Sequence, residues 1–203
     1  MRHYVALRGL NVLNLSCVMN KMKEIVRMSI MLDDSDPENK TTREEWRDWT
    51  GICRIDGPAV TIREYPSGEL VSEEWRSAGK LHNPSGPACI KYYGPTMTSR
   101  EYYVSNMLHR DDGPARVTEL DGFNQIEAYY QYGKKHRLDG PAFIERHEEL
   151  GIIIVEEYWQ DGKRHRIGGP AFIVYDDNGA VERMTYFVNG EEVSPPTPQP
   201  APG

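Results

Sequence analysis

Five Gly-Pro-Ala triplets punctuate this chain, Gly57-Pro58-Ala59, Gly86-Pro87-Ala88, Gly113-Pro114-Ala115, Gly140-Pro141-Ala142 and Gly169-Pro170-Ala171, with their prolines 29, 27, 27 and 29 residues apart. Self-similarity at such a period predicts stacked repeats, each unit burying its apolar side on the next. Other residues recur in phase. Five before the proline stands Cys53, His82, His109, His136 or His165, followed by Arg54, Asn83, Arg110, Arg137 or Arg166. Two before it stands Asp56, Ser85, Asp112, Asp139 or Gly168, and twelve before it Trp46, Trp75, Tyr102, Tyr129 or Tyr158. Tyr186 repeats the aromatic phase ahead of Asn189-Gly190, so the array spans residues 42–193 as five to six units of 27 to 29 residues.

Each unit reads as a β-hairpin. A strand follows the Ala, a turn reverses it, and the returning strand carries the phased aromatic. Ser67-Gly68, Gly94-Pro95, Asp121-Gly122, Leu150-Gly151 and Asn178-Gly179 supply the turns. A second turn follows the aromatic at Gly79, Gly133, Gly162 and Gly190, with Asn106 in the same phase; Asn is the non-Gly residue most tolerant of positive φ. Of the 18 glycines, 14 occupy these repeated places, which accounts for the glycine content without a phosphate-binding loop.

Outside the array two segments differ. Over residues 15–30 the apolar Leu15, Val18, Met19, Met22, Ile25, Val26 and Ile30 follow the spacing of one helix face. That pattern predicts an amphipathic helix that caps the first sheet edge and, with the acidic linker behind it, fills residues 1–41. Residues 194–203 hold five prolines and form a disordered Pro-rich tail, the type of segment that docks in aromatic-lined grooves.

The expected fold is therefore all-β: an elongated antiparallel sheet of consecutive β-hairpins with a helical cap. The aromatic strand followed by Asp-Gly-Lys or a variant of it (Glu157-Tyr158-Trp159-Gln160-Asp161-Gly162-Lys163; Tyr129-Tyr130-Gln131-Tyr132-Gly133-Lys134; Glu74-Trp75-Arg76-Ser77-Ala78-Gly79-Lys80) resembles the MORN-type repeat superfamily. The added His-Arg-x-x-Gly-Pro-Ala resembles repeats of uncharacterised phage, large-DNA-virus and bacterial antitoxin-like proteins. The resemblance implies a sheet that presents a surface to proteins or sometimes lipids. The longer period and the net charge of −7 depart from the ordinary MORN pattern and argue against lipid.

Charge points the same way, because nucleic acid and anionic membranes reward clustered Lys and Arg, whereas this chain has 31 acids against 24 bases. Three isolated cysteines, Cys17, Cys53 and Cys89, have neither disulfide nor metal-ligand spacing and suit a reducing, cytoplasmic setting. The four phased histidines invite a metal or a His-Asp catalytic pair. Stacking would lay them out as a ladder, however, and a tetrahedral site needs ligands converging on one point. No Ser or Cys recurs beside them as a nucleophile. The expectation is a non-enzymatic chain without cofactor or metal, its histidines bonded to backbone or to an acid of the next unit.

Glu45, Glu74, Glu101 and Glu157, each just before a phased aromatic, are expected to pair with the phased arginines of a neighbouring unit. The residues just after the aromatics are Arg47, Arg76, Tyr103, Tyr130, Trp159 and Phe187, and strand alternation sends them to the opposite face. Arg76, Tyr103, Tyr130, Trp159 and Phe187 are the candidate partner-binding stripe, unless the sheet curls and buries both faces. The leading functional reading is a protein–protein interaction module: a phage or viral accessory protein that inhibits or sequesters a host protein, or an antitoxin-like protein. The alternatives are a self-assembling scaffold that forms homo-oligomers and, remotely, a His-dependent hydrolase.

Overall fold

The computed structural model describes residues 11–18, 25–32, 41–48, 51–54, 56–120, 124–147 and 149–196, the first two segments and residue 124 by backbone alone. The described chain is all-β and forms two compact units, Met1–Met107 and Leu108–Gly203.

In the first unit the strands Asn11–Val18, Ile25–Leu32, Thr41–Asp48, Val60–Glu64, Leu70–Glu74, Cys89–Tyr92 and Met97–Glu101 lie side by side in chain order. Neighbours pair antiparallel, as in Val60↔Glu74 and Cys89↔Glu101. In the second unit Arg116–Leu120, Asn124–Ala128, Phe143–His147, Ile152–Glu157, Phe172–Tyr175, Val181–Val188 and Glu191–Val193 follow the same rule. Gly68, Gly94, Gly151 and Gly179 turn the hairpins at φ of 76°, 75°, 65° and 77°. The turn at Asp121-Gly122 lies outside the described residues.

The helix predicted over residues 15–30 is corrected wherever that segment is described. Asn11–Val18 and Ile25–Leu32 are strands, paired from Asn11↔Met31 to Val18↔Ile25, while residues 19–24 lie outside the description. Ile25–Leu32 also pairs along its whole length with Thr41–Asp48, from Val26↔Arg47 to Leu32↔Thr41. The open edge of the first repeat strand explains the outcome. It offers a row of unpaired N–H and C=O groups, and a segment with β-branched Ile25, Val26 and Ile30 satisfies them better as a strand than as a helix lying across them. The edge is covered as the cap would have covered it, by hydrogen bonds rather than by an apolar face.

Each Ala of the Gly-Pro-Ala triplets is fully buried, and backbone bonds show why. Ala59 N donates to Glu74 O at 2.7 Å while Ala59 O accepts from Trp46 N at 2.8 Å; Ala142 repeats this with Glu157 O and Tyr129 N at 2.8 and 2.7 Å. The Ala is clasped by two strands, which leaves space for a methyl group and little more.

After each phased aromatic the chain makes a second, shorter hairpin: Arg76–Ser77 with Lys80–Leu81, Tyr103–Val104 with Met107–Leu108, Tyr130–Gln131 with Lys134–Lys135, and Trp159–Gln160 with Lys163–Arg164. Both central turn residues have positive φ, from Ala78 and Gly79 at 47° and 76° to Asp161 and Gly162 at 49° and 81°, the geometry that matches the right-handed twist of paired strands. Asn106 stands at 70° where glycine stands elsewhere. These turns tie neighbouring repeats together: Gly162 N donates to Lys135 O, and Gly190 N to Arg164 O, both at 2.9 Å.

Candidate functional site

The loop that carries the phased His, Arg, Asp and Gly is closed on itself. Arg54, Arg137 and Arg166 lay their guanidinium carbons 4.5, 4.0 and 3.9 Å from the ring centres of Trp46, Tyr129 and Tyr158. Arg54, Arg110 and Arg137 donate from Nε to Asp56, Asp112 and Asp139 at 3.1, 2.9 and 3.0 Å. These hydrogen bonds, joined by the arginine charges and the loop backbone, hold all three carboxyls below their ordinary range. Arg137 and Arg166 also reach the carbonyls of Pro141 and Pro170, at 3.3 and 3.1 Å. The glycine leaves room for the arginine that folds over it: a Cβ on Gly57, Gly140 or Gly169 would meet the guanidinium group at 2.9, 3.2 or 3.0 Å and push it aside by a few tenths of an ångström. Where Asn83 replaces arginine, a Cβ on Gly86 would find only the Asn83 amide at 3.6 Å.

Two of the four phased histidines bind the next repeat through Nδ1. His136 Nδ1 accepts the amide of Asp161 at 3.1 Å, and His165 Nδ1 the amide of Asn189 at 3.0 Å. Each amide belongs to a positive-φ turn residue, so the imidazole fastens the turn of the following short hairpin. His109 instead stacks on Tyr132 with ring centres 4.1 Å apart. No three His, Cys, Asp or Glu gather into a metal-binding group among the described residues.

The glutamates find partners other than those expected. Their partners lie two residues away along the chain, on the neighbouring strand, or on a short hairpin. Glu45 accepts from Arg43 and Arg47 at 2.6 and 2.7 Å, and Glu74 from Arg76 at 2.7 Å. Glu101 accepts from the Tyr103 hydroxyl at 2.9 Å and lies 3.3 Å from Lys91 Nζ. Glu157 accepts from Trp159 Nε1 at 2.7 Å, Arg164 at 2.6 Å and Lys135 at 3.2 Å. Burial by itself pushes the Glu45 and Glu157 carboxyls up, but hydrogen bonds and nearby cations outweigh it and both are held below the ordinary value. The phased arginines are unavailable to them, being committed to their own loops.

The candidate stripe shares this face. Arg76, Tyr103, Tyr130, Trp159 and Phe187 are all half-buried. Trp159 lies under Lys135 and Arg164, at 4.8 and 5.3 Å, and Phe187 under Arg164 at 5.5 Å. Tyr130 has Arg116 6.0 Å from its ring centre. In the second unit the stripe is thus interleaved with cations and carboxylates.

The phased tyrosines of the second unit floor two successive grooves. The first, about 370 Å³, lies between the loops around Asp111 and Leu138 and holds Tyr129, Gln131 and His136. The second, about 540 Å³, lies between the loops around Leu138 and Ile167 and holds Tyr158, Gln160 and His165. Nine of the ten positions that line the first groove line the second one repeat on, with Leu138 in the place of Asp111 and Ile167 in that of Leu138. Leu138 and Ile167 stand on the rims 75% and 81% exposed. The sequence marks these two only as the variable residue between Arg and Asp, or between Arg and Gly, so the phased pattern passes over them.

Among the described residues no helix is long and apolar enough to cross a membrane. The chain matches no family model, no curated protein and no solved structure. Fold and site together define an all-β protein of repeated hairpins with paired surface grooves.

Proposed function

We propose that this chain is a non-enzymatic protein–protein interaction module of the MORN type that holds its partner on the groove pair of the second unit. One observation carries the reading: two grooves whose linings correspond at nine positions recur one repeat apart, each edged by an aliphatic side chain given almost wholly to water. Exposed leucine and isoleucine in register with a repeated cleft suit an interface better than a solvent-facing loop. Of the phased residues that would have to serve a hydrolase, Arg110 and Arg137 close their loops on Asp112 and Asp139, and His136 and His165 accept turn amides. The signature resembling phage, viral and antitoxin-like repeats extends the proposal to a cytoplasmic accessory protein that sequesters a host protein.

The test compares wild type with Leu138→Asp/Ile167→Asp in affinity capture from the native host cell. We expect a discrete protein held by wild type and lost by the double variant, with thermal stability unchanged because both sites are exposed. Tyr130→Ser/Trp159→Ser should instead lower the melting temperature. A partner retained by the groove variant and lost by a fully stable Tyr130→Ser/Trp159→Ser variant would return the site to the aromatic stripe.

A second reading rests on the strand Val181–Val188. Among the described residues its outer side is paired only from Tyr186 to Val188, and Val181 and Met184 are 52% and 53% exposed. Such an edge suits assembly with another copy. Light scattering over a concentration series separates the two, since assembly raises the mass and groove binding leaves a monomer.

A further inference from the structure

We infer that the outer side of Val181–Thr185 is a strand-addition site for an extended, basic segment of a partner protein that carries apolar residues at alternate positions. The site stands apart from the grooves and does not depend on them.

The open edge continues a junction that the chain has already built twice in the second unit. Glu127 and Ala128 pair with Ile144 and Phe143 of the next strand, and Glu156 and Glu157 with Ile173 and Phe172. Ile144 and Ile173 are buried there. Met184 and Thr185 hold the same phase in the last unit, two and one residues before the phased aromatic. No strand pairs with the outer side of Val181–Thr185 among the described residues, and residues 197–203, the end of the Pro-rich tail, lie outside them. Thr185 O accepts from Ala171 N at 3.0 Å, so the backbone groups of Thr185 face inward. Successive residues of a strand turn these groups to opposite sides, which aims the N–H and C=O of Met184 outward.

Side chains at this edge reverse the usual protection. Natural edge strands are guarded by charge. Here the paired strands carry Glu127, Glu156 and Glu157, whereas the edge strand has Met184 and Thr185 in the phase of Glu156 and Glu157. Met184 and Val181 stand opposite Ile173 and Tyr175, hence on one face, and both are half exposed. In the junction before, Glu156 accepts the hydroxyl of Tyr175 at 3.0 Å. Met184 offers a thioether in place of that carboxylate, which suits an aliphatic side chain opposite it and another apolar residue two positions on, beside Val181.

Charge supplies the rest of the description. The second strand of the short hairpin begins Lys134-Lys135 and Lys163-Arg164 in the two units before, but Glu191-Glu192 in the last. That strand pairs with Tyr186–Val188, so its acids adjoin one end of the open edge. Asp177 and Glu182 are exposed toward the other end. An incoming segment with basic flanks complements both. A second copy of the same edge fits less well: pairing the five residues Val181–Thr185 with themselves about a two-fold axis centres on Arg183 and sets two guanidinium groups opposite each other.

The experiment uses the full chain and the synthetic peptide Lys-Lys-Ala-Phe-Ile-Val-Tyr-Lys-Lys, whose centre copies residues 171–175. Calorimetry gives the affinity, and amide hydrogen exchange followed by magnetic resonance reads Met184. The expected result is a Kd below about 1 mM, with exchange at Met184 slowed about tenfold or more at saturation. A peptide flanked by Glu-Glu in place of Lys-Lys should bind about tenfold more weakly. Met184→Pro removes the outward donor at an edge, where proline is tolerated, and should abolish binding while keeping the melting temperature. Glu191→Lys/Glu192→Lys should reverse the preference between the two peptides. Leu138→Asp/Ile167→Asp should bind the peptide as wild type does, and loss of binding there would place the peptide in the grooves and overturn the inference. Equal binding of both peptides, no binding of the lysine-flanked one, or binding that survives Met184→Pro overturns it too. So does a Met184 amide already protected in the free protein, which would mean that the chain itself or a second copy covers the edge. Groove-dependent capture of a partner without peptide binding sinks this inference alone, and peptide binding without groove-dependent capture sinks the proposed function alone.

Discussion

Replacing Gly140 with alanine tests whether the Gly-Pro-Ala punctuation exists to let an arginine fold over it. The added Cβ would lie 3.2 Å from Arg137 Cζ and 3.3 Å from Nε, so the guanidinium group must retreat. Its retreat weakens the stacking on Tyr129 at 4.0 Å, the bond to Asp139 at 3.0 Å and the bond to the Pro141 carbonyl at 3.3 Å. Cation–π contact contributes ~0.5–2 kcal/mol and a hydrogen bond ~0.5–1.5, so their loss amounts to about 1–3.5 kcal/mol. Against this stands a gain of ~0.4–1 kcal/mol, because alanine restricts the unfolded chain and Gly140 is not at positive φ. The net expectation is a destabilisation of about 0–3 kcal/mol. Gly86→Ala supplies the control: its Cβ meets only Asn83 at 3.6 Å, an ordinary contact, so the same substitution should stabilise by ~0.4–1 kcal/mol. Thermal melts followed by circular dichroism read both signs. In an Arg137→Ala background the penalty at Gly140 should vanish. Equal effects at the two glycines, or a penalty that survives removal of Arg137, would refute the reasoning.

Two further predictions concern parts the repeat pattern does not single out. Glu157→Gln leaves Arg164 and Lys135 without their carboxylate and should cost about 2–3 kcal/mol by denaturant unfolding at neutral pH. Because the folded-state pKa of Glu157 is lowered from 4.5, the stability it confers is present above pH about 4.5 and is lost as pH falls through the folded value. The wild-type melting temperature should therefore drop more steeply than that of the variant between pH about 5 and 3, and parallel curves would refute the claim. Ala78 holds φ of 47° in an exposed turn, where an L residue with a Cβ costs ~1 kcal/mol. Ala78→Gly should raise stability by about 0.5–1 kcal/mol, and a lower melting temperature would show that the turn is held by something other than its backbone angles.

The hairpin array was legible because its signals are local and repeated: a turn needs positive φ, Gly and Asn supply it, and five copies average out the noise. Asn106 at 70° shows how far such reasoning reaches. Residues 15–18 and 25–30 are strand where the periodicity predicts helix, because that periodicity is blind to the neighbour that decides the outcome. The edge of Thr41–Asp48 is a tertiary feature, and its unpaired amides outweigh a helix pattern carried by flexible Met and Leu side chains. The glutamates failed for a related reason. Spacing shows that Glu45 and Arg47 share a face, but not that Arg54 is drawn away to Trp46 and Asp56, and only that competition leaves the in-strand partner to win.

Repetition itself separates architecture from function in this chain. A residue that recurs in every unit answers a demand of the repeated fold, and the structure supplies such demands for the phased types: the Gly yields space to the Arg, His136 and His165 accept a turn amide, and the Ala fits between two strands. None of these discriminates one partner from another, because a partner would meet the same group at every step. Discrimination must lie where the units differ. The residue between the phased Arg or Asn and the position two before proline is such a place, running Ile55, Pro84, Asp111, Leu138, Ile167 along the chain. In the second unit it changes from an exposed carboxylate to two exposed aliphatic side chains. Exchanging Asp111 with Leu138 should therefore leave every loop closed and the stability unchanged, while moving the apolar rim by one repeat and with it the register in which a partner sits.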